Sequence, residues 1–208
     1  MMAAAIMCGG KGSRMQGLAN IEKPLLKLKG KTMVELVLDT LLESEIFSKI
    51  VAATSSNTPI TYSYLLASNL SHKIDVLQTE GISYSHDIST VLNTLRPATI
   101  FVVGADLPLL RSNDVKQIIS KRRLEYPCTS VVCDKRFVTN IGINPSITVC
   151  INMRQYCHSG ISIIDSSKVC GSATLDEHYL VMNQKGVAVN VNTRSDLEIA
   201  EKLMSADT

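Results

Sequence analysis

The chain has 208 residues, of which 45% are hydrophobic and 19% charged, and its formal net charge is only +2. This composition excludes a disordered chain, and the small net charge gives no indication of a nucleic-acid partner. The length suits one full hydrophobic core, so we expect a single domain over residues 1–208. The apolar start, 1–7, is too short to span a bilayer and has no basic leader, which predicts a cytoplasmic protein without a membrane span.

In the first two thirds of the chain, short apolar runs alternate with helical patterns. Strands are predicted at 3–7, 49–54, 74–77, 99–103 and 129–133. Helices are predicted at 32–44, 59–69, 87–95 and 112–125, the last capped by Ser112. This alternation predicts a three-layer α/β/α Rossmann-like fold with a mostly parallel central sheet. Beyond Phe137 the strand-like runs are 147–152, 160–164, 179–182 and 187–191, and a helix closes the chain at 194–204.

Six cysteines are spread along the chain, at positions 8, 128, 133, 150, 157 and 170. None forms a C-x-x-C pair, and several fall in strand-like apolar runs. This spacing favours neither a zinc site nor a disulfide framework. We therefore expect buried, reduced thiols.

A glycine-rich segment, Met7-Cys8-Gly9-Gly10-Lys11-Gly12-Ser13-Arg14-Met15, follows the first strand. Glycines at such a turn let backbone N–H groups face a phosphate, because no side chain blocks the approach. Lys11 and Arg14 add positive charge to the same loop. The segment matches neither the Walker loop nor the dinucleotide fingerprint. The alternative is a flexible turn with solvated charges.

Three further segments carry polar residues that could serve the same site. Glu22-Lys23-Pro24 follows the glycine loop closely, although a surface lysine at a turn is the alternative. Asp106 lies just past a buried strand, where open α/β sheets bind ligands and where a carboxylate suits Mg²⁺; a turn or helix cap is the alternative. In Val189-Asn190-Val191-Asn192, strand alternation would place both amides on one face, within reach of a metal. Thr193 would cap the last helix.

Together these four segments resemble the pyrophosphorylase-like nucleotidyltransferase superfamily. Its pattern has a G-G-x-G-[ST]-R-M loop, an E-K-P-L segment, a strand-end D-x-P and a V-N-x-N-T-x-x-D-L helix start, and all four occur here in that order. Within the superfamily, the chain is most similar to the archaeal GTP:adenosylcobinamide-phosphate guanylyltransferases. The turn at 54–59 best separates this group from the molybdenum-cofactor guanylyltransferases, although Ser56 stands where the family pattern has proline.

The resemblance implies GMP transfer from GTP to adenosylcobinamide phosphate with the help of Mg²⁺. It implies Arg14, Lys23 and Asp106 as catalytic residues, with Asp106 and Asn192 at the metal. The nucleotide-binding residues implied are Cys8, Gly9, Gly10, Lys11, Gly12, Ser13, Thr54, Asn57 and Gly81. The N-terminal part of the domain would bind the nucleotide and the C-terminal part the phosphorylated corrinoid acceptor, with a homodimer allowed.

Other functions stay open at this point. A molybdenum-cofactor guanylyltransferase, or another enzyme that joins a nucleoside triphosphate to a phosphate, would use the same scaffold. A nucleotide sensor without catalysis would keep the fold but lose the metal ligand, and the joint presence of Arg14, Lys23 and Asp106 argues against it.

Overall fold

A computed structural model of the chain describes residues 2–10, 12, 21–169 and 176–206. The strands are β1 Met2–Met7, β2 Lys27–Leu28, β3 Lys31–Thr32, β4 Lys49–Ser55, β5 Asp75–Thr79, β6 Thr99–Gly104, β7 Cys128–Asp134, β8 Thr148–Ile151, β9 Arg154–Asp165 and β10 Glu177–Val181. The α-helices are α1 Met33–Ser44, α2 Pro59–Ala67, α3 Tyr84–Thr94, α4 Ser112–Ser120, α5 Lys135–Asn140, α6 Lys185–Ala188 and α7 Arg194–Ala206.

One central sheet organises the molecule, with the strand order β10-β7-β9-β6-β1-β4-β5 and with β8 paired to β9. Strand β1 is parallel to both β4 and β6, and β5 continues the parallel set. Strand β9 is antiparallel to β6 and β7, whereas β10 is parallel to β7. The predicted α/β fold with a mostly parallel sheet is confirmed.

The two faces of the sheet are covered unequally. The larger core cluster packs side chains of α1, α2 and α4 to α7 against one face, for example Leu38, Leu65 and Ile118. In the smaller cluster on the other face, the helical side chains of the described residues come from α3 alone, with Val91 and Leu92 fully or almost fully buried. This asymmetry leaves room beside α3 for a cavity.

Several helix ends follow local chemistry. Thr32 caps α1: its hydroxyl accepts a hydrogen bond from the N–H of Glu35, and the Glu35 carboxylate accepts one from the N–H of Thr32. Pro59 opens α2 as predicted, in the first turn where its missing N–H costs nothing. None of the helices among the described residues has the length and apolar character needed to cross a bilayer.

Four expectations about single elements were wrong. Residues 187–191 do not form a strand, because the N–H groups of Val187 and Ala188 turn back to the carbonyl of Gln184. Helix α4 has Ser112 inside it and ends at Ser120, because the cap position is Arg111 and the chain turns at Lys121. Helix α3 begins three residues before Asp87, capped by the Ser83 hydroxyl. Cys150 is an exposed thiol on the edge strand β8, whereas the other four described cysteines are buried and free.

Candidate active site

The carboxyl ends of the parallel strands border a cavity of about 720 Å³. Gly9 and Gly10 follow β1, Gly104 ends β6, and Asp106 lies two residues beyond it; all four line the cavity. This edge of an open α/β sheet is where such folds bind ligands, because successive loops meet there. The site predicted from the sequence therefore coincides with a cavity.

The glycine loop packs closely against the end of β4. The N–H of Cys8 donates to the carbonyl of Ala53 (2.8 Å), and the Ser55 hydroxyl donates to the carbonyl of Gly9 (2.8 Å). A Cβ at position 9 would lie 2.8 Å from the Cβ of Ser55, which is closer than two carbon atoms can approach. Gly9 is therefore required by packing, whereas Gly10 faces open space.

Three of the residues implied by the resemblance lie outside the described residues. They are Lys11, Ser13 and Arg14, in the part of the loop on either side of Gly12. Their roles stay predictions.

Lys23, Asp106 and Asn192 meet at one point although they are far apart in sequence. The Lys23 ammonium donates hydrogen bonds to Oδ2 of Asp106 (2.5 Å) and to Oδ1 of Asn192 (2.9 Å). The side chains of Lys23 and Asp106 are only 14% and 21% exposed. Lys23 is thus not the solvated turn lysine of the alternative interpretation, and the structure brings these three predicted site residues together.

Backbone contacts hold Asp106 in this position. The N–H of Ala105 donates to the carbonyl of Met7 (3.1 Å), which ties the end of β6 to β1. The carbonyl of Asp106 accepts from the N–H of Val191 (2.9 Å), which ties it to the segment that carries Asn192. Because these bonds involve only backbone atoms, the carboxylate of Asp106 can be replaced by substitution without breaking them.

The orientation of the Asn192 amide is fixed by its neighbours. Its Nδ2 donates to Oδ1 of Asn190 (2.5 Å), which leaves its oxygen directed at Lys23. The Asp196 carboxylate accepts from the N–H groups of Asn192 and Thr193 (2.9 and 2.8 Å). Thr193 accepts from the N–H of Asp196 (3.2 Å), as expected for the predicted helix cap. Of the two asparagines, Asn192 is therefore the one that presents an oxygen to the Lys23–Asp106 pair.

On the far side of the glycine loop, the loops after β4 and β5 are bonded to each other. Nδ2 of Asn57 donates to the carbonyl of Gly81 (3.1 Å), and the N–H of Gly81 donates to the buried carboxylate of Asp87 (3.0 Å). Gly81 has a φ of +72°, and a Cβ there would lie 2.5 Å from Nδ2 of Asn57. Only glycine suits this turn, and both Asn57 and Gly81 line the cavity.

Two residues implied as nucleotide contacts do not offer their side chains to the cavity. Thr54 is fully buried. Its hydroxyl donates to the carbonyl of Leu77 (3.3 Å) and so joins β4 to β5. The thiol of Cys8 is 1% exposed within the larger core. Burial and the nearby charge of Asp106 raise the pKa of this thiol far above its ordinary value, so it stays protonated.

Glu22 has a role that was not apparent from the sequence. Its two carboxylate oxygens accept from the N–H groups of Ile60 (2.8 Å) and Thr61 (2.7 Å) at the start of α2. The carboxylate therefore satisfies two unpaired donors and complements the helix dipole. No local pattern could have revealed this contact, because the partners are almost forty residues apart. It anchors the residue directly before Lys23.

Glu22→Ala is expected to lower the free energy of unfolding by about 1–2 kcal/mol, because it removes a cap from α2. Turnover should also fall, because Lys23 loses its anchor. Thermal unfolding and pyrophosphate release measure the two effects. Glu22→Gln, which retains one acceptor oxygen, should lose less of both; an Ala variant with wild-type stability would contradict this role.

Comparison with known proteins agrees with this geometry. A family model described as a MobA-like NTP transferase domain matches residues 4–192. The adenosylcobinamide-phosphate guanylyltransferase of Methanocaldococcus jannaschii is 30% identical over 213 aligned positions, which cover 99% of this chain and 99% of the relative. The probable molybdenum cofactor guanylyltransferase of Natranaerobius thermophilus is 26% identical, over 98% of this chain and 96% of that protein.

Among solved structures, HddC from Yersinia pseudotuberculosis in complex with GMP-PN is similar with a TM-score of 0.75. The match covers 98% of this chain and 100% of HddC at 14% identity, so it shows the fold alone. The family match spans almost the whole chain and includes the glycine loop, Lys23, Asp106 and Asn192. The chain therefore belongs to the MobA-like NTP transferase domain family and is a nucleotidyltransferase.

Proposed function

We propose that this protein transfers GMP from GTP to adenosylcobinamide phosphate, giving adenosylcobinamide-GDP and pyrophosphate. The observation that carries the proposal is the meeting of Lys23, Asp106 and Asn192 at the edge of a cavity that begins at the glycine loop. The acceptor is proposed from the full-length similarity to the Methanocaldococcus jannaschii guanylyltransferase.

The residues present suit a divalent cation such as Mg²⁺. The oxygens of Asp106 and Asn192 already converge on one positively charged atom, the Nζ of Lys23, at 2.5 and 2.9 Å. Carboxylate and amide oxygens are the hard ligands that Mg²⁺ prefers, and few of them are needed because phosphate oxygens and waters complete the shell. A metal held there would neutralise charge on the triphosphate.

The chain's own residues then act by positioning and by charge. Backbone groups of Gly9, Gly10 and Gly12 hold the triphosphate, and Lys23 stabilises negative charge that develops around the α-phosphorus. Arg14, Lys11 and Ser13 are proposed by resemblance to assist in the same loop. An oxygen of the acceptor phosphate forms the new bond to the α-phosphorus, and the bond from that phosphorus to the β-phosphate bridging oxygen breaks, releasing pyrophosphate. No general base is required, because a phosphate monoester is already anionic near neutral pH.

We place the guanine beside the loops that carry Asn57 and Gly81. These loops are held together by the Asn57–Gly81 and Gly81–Asp87 hydrogen bonds, so their polar groups are fixed before the base arrives. A rigid site that hydrogen-bonds one base leaves its polar groups unpaired when another base enters.

GTP is therefore expected to bind at least about tenfold more tightly than ATP, CTP or UTP, which corresponds to roughly 1.4 kcal/mol, about one hydrogen bond. Isothermal titration of the four nucleotides measures this directly. Equal affinities for GTP and ATP would contradict guanylyl transfer and would leave the family assignment intact.

The molybdenum cofactor guanylyltransferase function is the second candidate, because the Natranaerobius relative matches almost as much of the chain at slightly lower identity. A pyrophosphate-release assay with GTP and each acceptor separates the two. If GTP binds tightly but neither acceptor supports pyrophosphate release, both acceptor assignments fail, and the family membership stands.

A further inference from the structure

The cavity continues well beyond the groups proposed to bind GTP. It extends across the face of the sheet beside α3, where Ser162 of β9, Ser130 of β7 and Glu177 of β10 line it. In the strand register, Glu177 pairs with Cys128, which pairs with Ile164, which pairs with Ile100, four residues before Gly104. Four residues along a strand correspond to about 13 Å, and three strand spacings to about 14 Å. The backbone positions of Glu177 and Gly104 therefore lie roughly 19 Å apart.

The rim of the cavity as a whole is unusual. Ile82 after β5, Tyr84 at the start of α3 and Ile147 just before β8 line it and are 67%, 57% and 63% exposed. Single exposed apolar side chains need no explanation, but three around one opening indicate a ligand with a broad apolar surface. Strand β9 shifts its register against β7 near Gly160, which also lines the cavity between Asn190 and Ser162. Such irregularities commonly lie beside functional sites.

Polar groups meet at the far end of this extension. The Ser130 hydroxyl donates to the carboxylate of Glu177. The Tyr179 hydroxyl also bonds to Glu177, and this bond, together with burial, raises the pKa of Tyr179 to about 12. Tyr179 in turn meets the ring of His158 edge-on at 5.9 Å, and His158 lines the cavity. Two hydroxyl donors therefore hold an exposed carboxylate at the cavity wall.

We infer that this extension is the acceptor subsite and that Glu177 is its specificity-determining residue, accepting hydrogen bonds from amide or hydroxyl groups of a large, partly apolar acceptor. The inference rests on the proposed function, and the occupant is adenosylcobinamide phosphate. With its phosphate beside Asp106, two residues beyond Gly104, an acceptor that reaches Glu177 must span most of the roughly 19 Å between Gly104 and Glu177, so it must be a large molecule. Ile147 at the rim contacts its ring surface, and the carboxylate selects for its donor groups.

The test begins with wild-type protein, adenosylcobinamide phosphate and GTP in the pyrophosphate-release assay. If the wild-type protein releases no pyrophosphate, the proposed function itself fails, whatever the Glu177 variants do. If wild type is active, Glu177→Ala should raise the KM for the acceptor about 10- to 100-fold, because it removes a hydrogen bond to a charged group. The KM for GTP and kcat should stay within about twofold of the wild-type values. The melting temperature should change by only a few degrees.

Three variants serve as controls. Glu201→Gln, on the exposed side of α7, removes a carboxylate charge outside the cavity and should change nothing. Glu177→Gln retains the shape and should give a smaller rise in acceptor KM than Glu177→Ala. Ser130→Ala removes the internal partner of Glu177 but leaves its carboxylate, so its effect should be only a few-fold. An unchanged acceptor KM in Glu177→Ala, or an equally large rise in Ser130→Ala, would overturn the role of Glu177.

The apolar rim is tested by a matched pair. Ile147 and Leu124 are 63% and 67% exposed, and of the two only Ile147, next to β9, lines the cavity. Ile147→Asn should raise the acceptor KM about fivefold or more, because part of an isoleucine side chain loses its apolar partner. Leu124→Asn should leave it unchanged. Equal effects of the two substitutions would overturn the proposed apolar subsite.

Discussion

Asp106→Ala is expected to reduce pyrophosphate release at saturating GTP, acceptor and Mg²⁺ by about 1,000-fold or more. Of the three residues that meet in the site, Lys23, Asp106 and Asn192, Asp106 alone brings an anionic oxygen, so its loss would remove the main attraction for a divalent cation. Removal of a single fixed electrostatic group commonly costs a factor of 100 to 1,000, and the loss of a metal exceeds this.

The fold should survive this substitution. The backbone bonds from Ala105 to Met7 and from Val191 to Asp106 do not involve the carboxylate, so the melting temperature should change by only a few degrees. Asp75→Ala is a matched control, because Asp75 also forms a lysine pair, with Lys49 at 2.8 Å, but is 64% exposed and outside the cavity. It should retain wild-type turnover. Near-normal turnover of Asp106→Ala at saturating Mg²⁺ would exclude a role for this carboxylate.

Metal removal is the complementary experiment. EDTA should stop the wild-type reaction and excess Mg²⁺ should restore it, whereas Asp106→Ala should remain inactive at any Mg²⁺ concentration. A wild-type reaction that continues in EDTA would contradict the metal proposal independently of any variant.

Much of the architecture could be predicted because hydrophobic periodicity is a local signal. The buried strands around Ala5 and Val102 and the amphipathic pattern of α1 were recognisable from neighbouring residues alone. The run 187–191 was expected to be a strand because its valines are buried. Its first two residues instead end α6, and only the N–H of Val191 bonds to a neighbouring segment, at the carbonyl of Asp106. Burial alone therefore does not distinguish a strand from a short helix and the loop that follows it.

The candidate site was predictable in part for a different reason. Parallel strands bring their carboxyl ends to one edge, so Gly9 and Asp106 had to be neighbours once the fold was known. The partner of Glu22 and the hydrogen bond that holds Glu177 at the cavity wall depend on contacts between segments that are far apart in sequence. Nothing in the local sequence encodes these contacts. For the same reason Thr54 was expected among the nucleotide-binding residues, whereas its hydroxyl joins two strands.

Lys23→Ala is expected to lower turnover by roughly 100- to 1,000-fold, because it removes a fixed positive charge from the place where the transition state spreads negative charge. The carboxylate of Glu22 is bonded to the start of α2, and Lys23 lies in a short 3-10 helix, Lys23–Leu25, rather than in the extended conformation that a following proline favours. The N–H of Leu25 donates to the carbonyl of Glu22 (2.8 Å), so the backbone that carries the Lys23 side chain is fixed on both sides. Lys31→Ala is the matched control: Lys31 pairs with Asp39 at 2.7 Å but is 59% exposed, and its loss should cost no more than about 0.5 kcal/mol of stability and no turnover.

The contacts of Lys23 also predict an effect in the opposite direction. Its ammonium holds one oxygen each of Asp106 and Asn192, the two residues proposed to hold the metal, so a divalent cation would compete with it for these oxygens. A metal held there would displace the ammonium from at least part of these contacts, towards the neighbouring phosphates. In titrations with Mn²⁺ alone, Lys23→Ala should bind the metal roughly tenfold more tightly than wild type, because no hydrogen bonds to a charged group need to be broken first. A variant with lower turnover and weaker Mn²⁺ binding would mean that Lys23 helps to build the metal site, whereas unchanged turnover at a normal melting temperature would remove Lys23 from the reaction altogether.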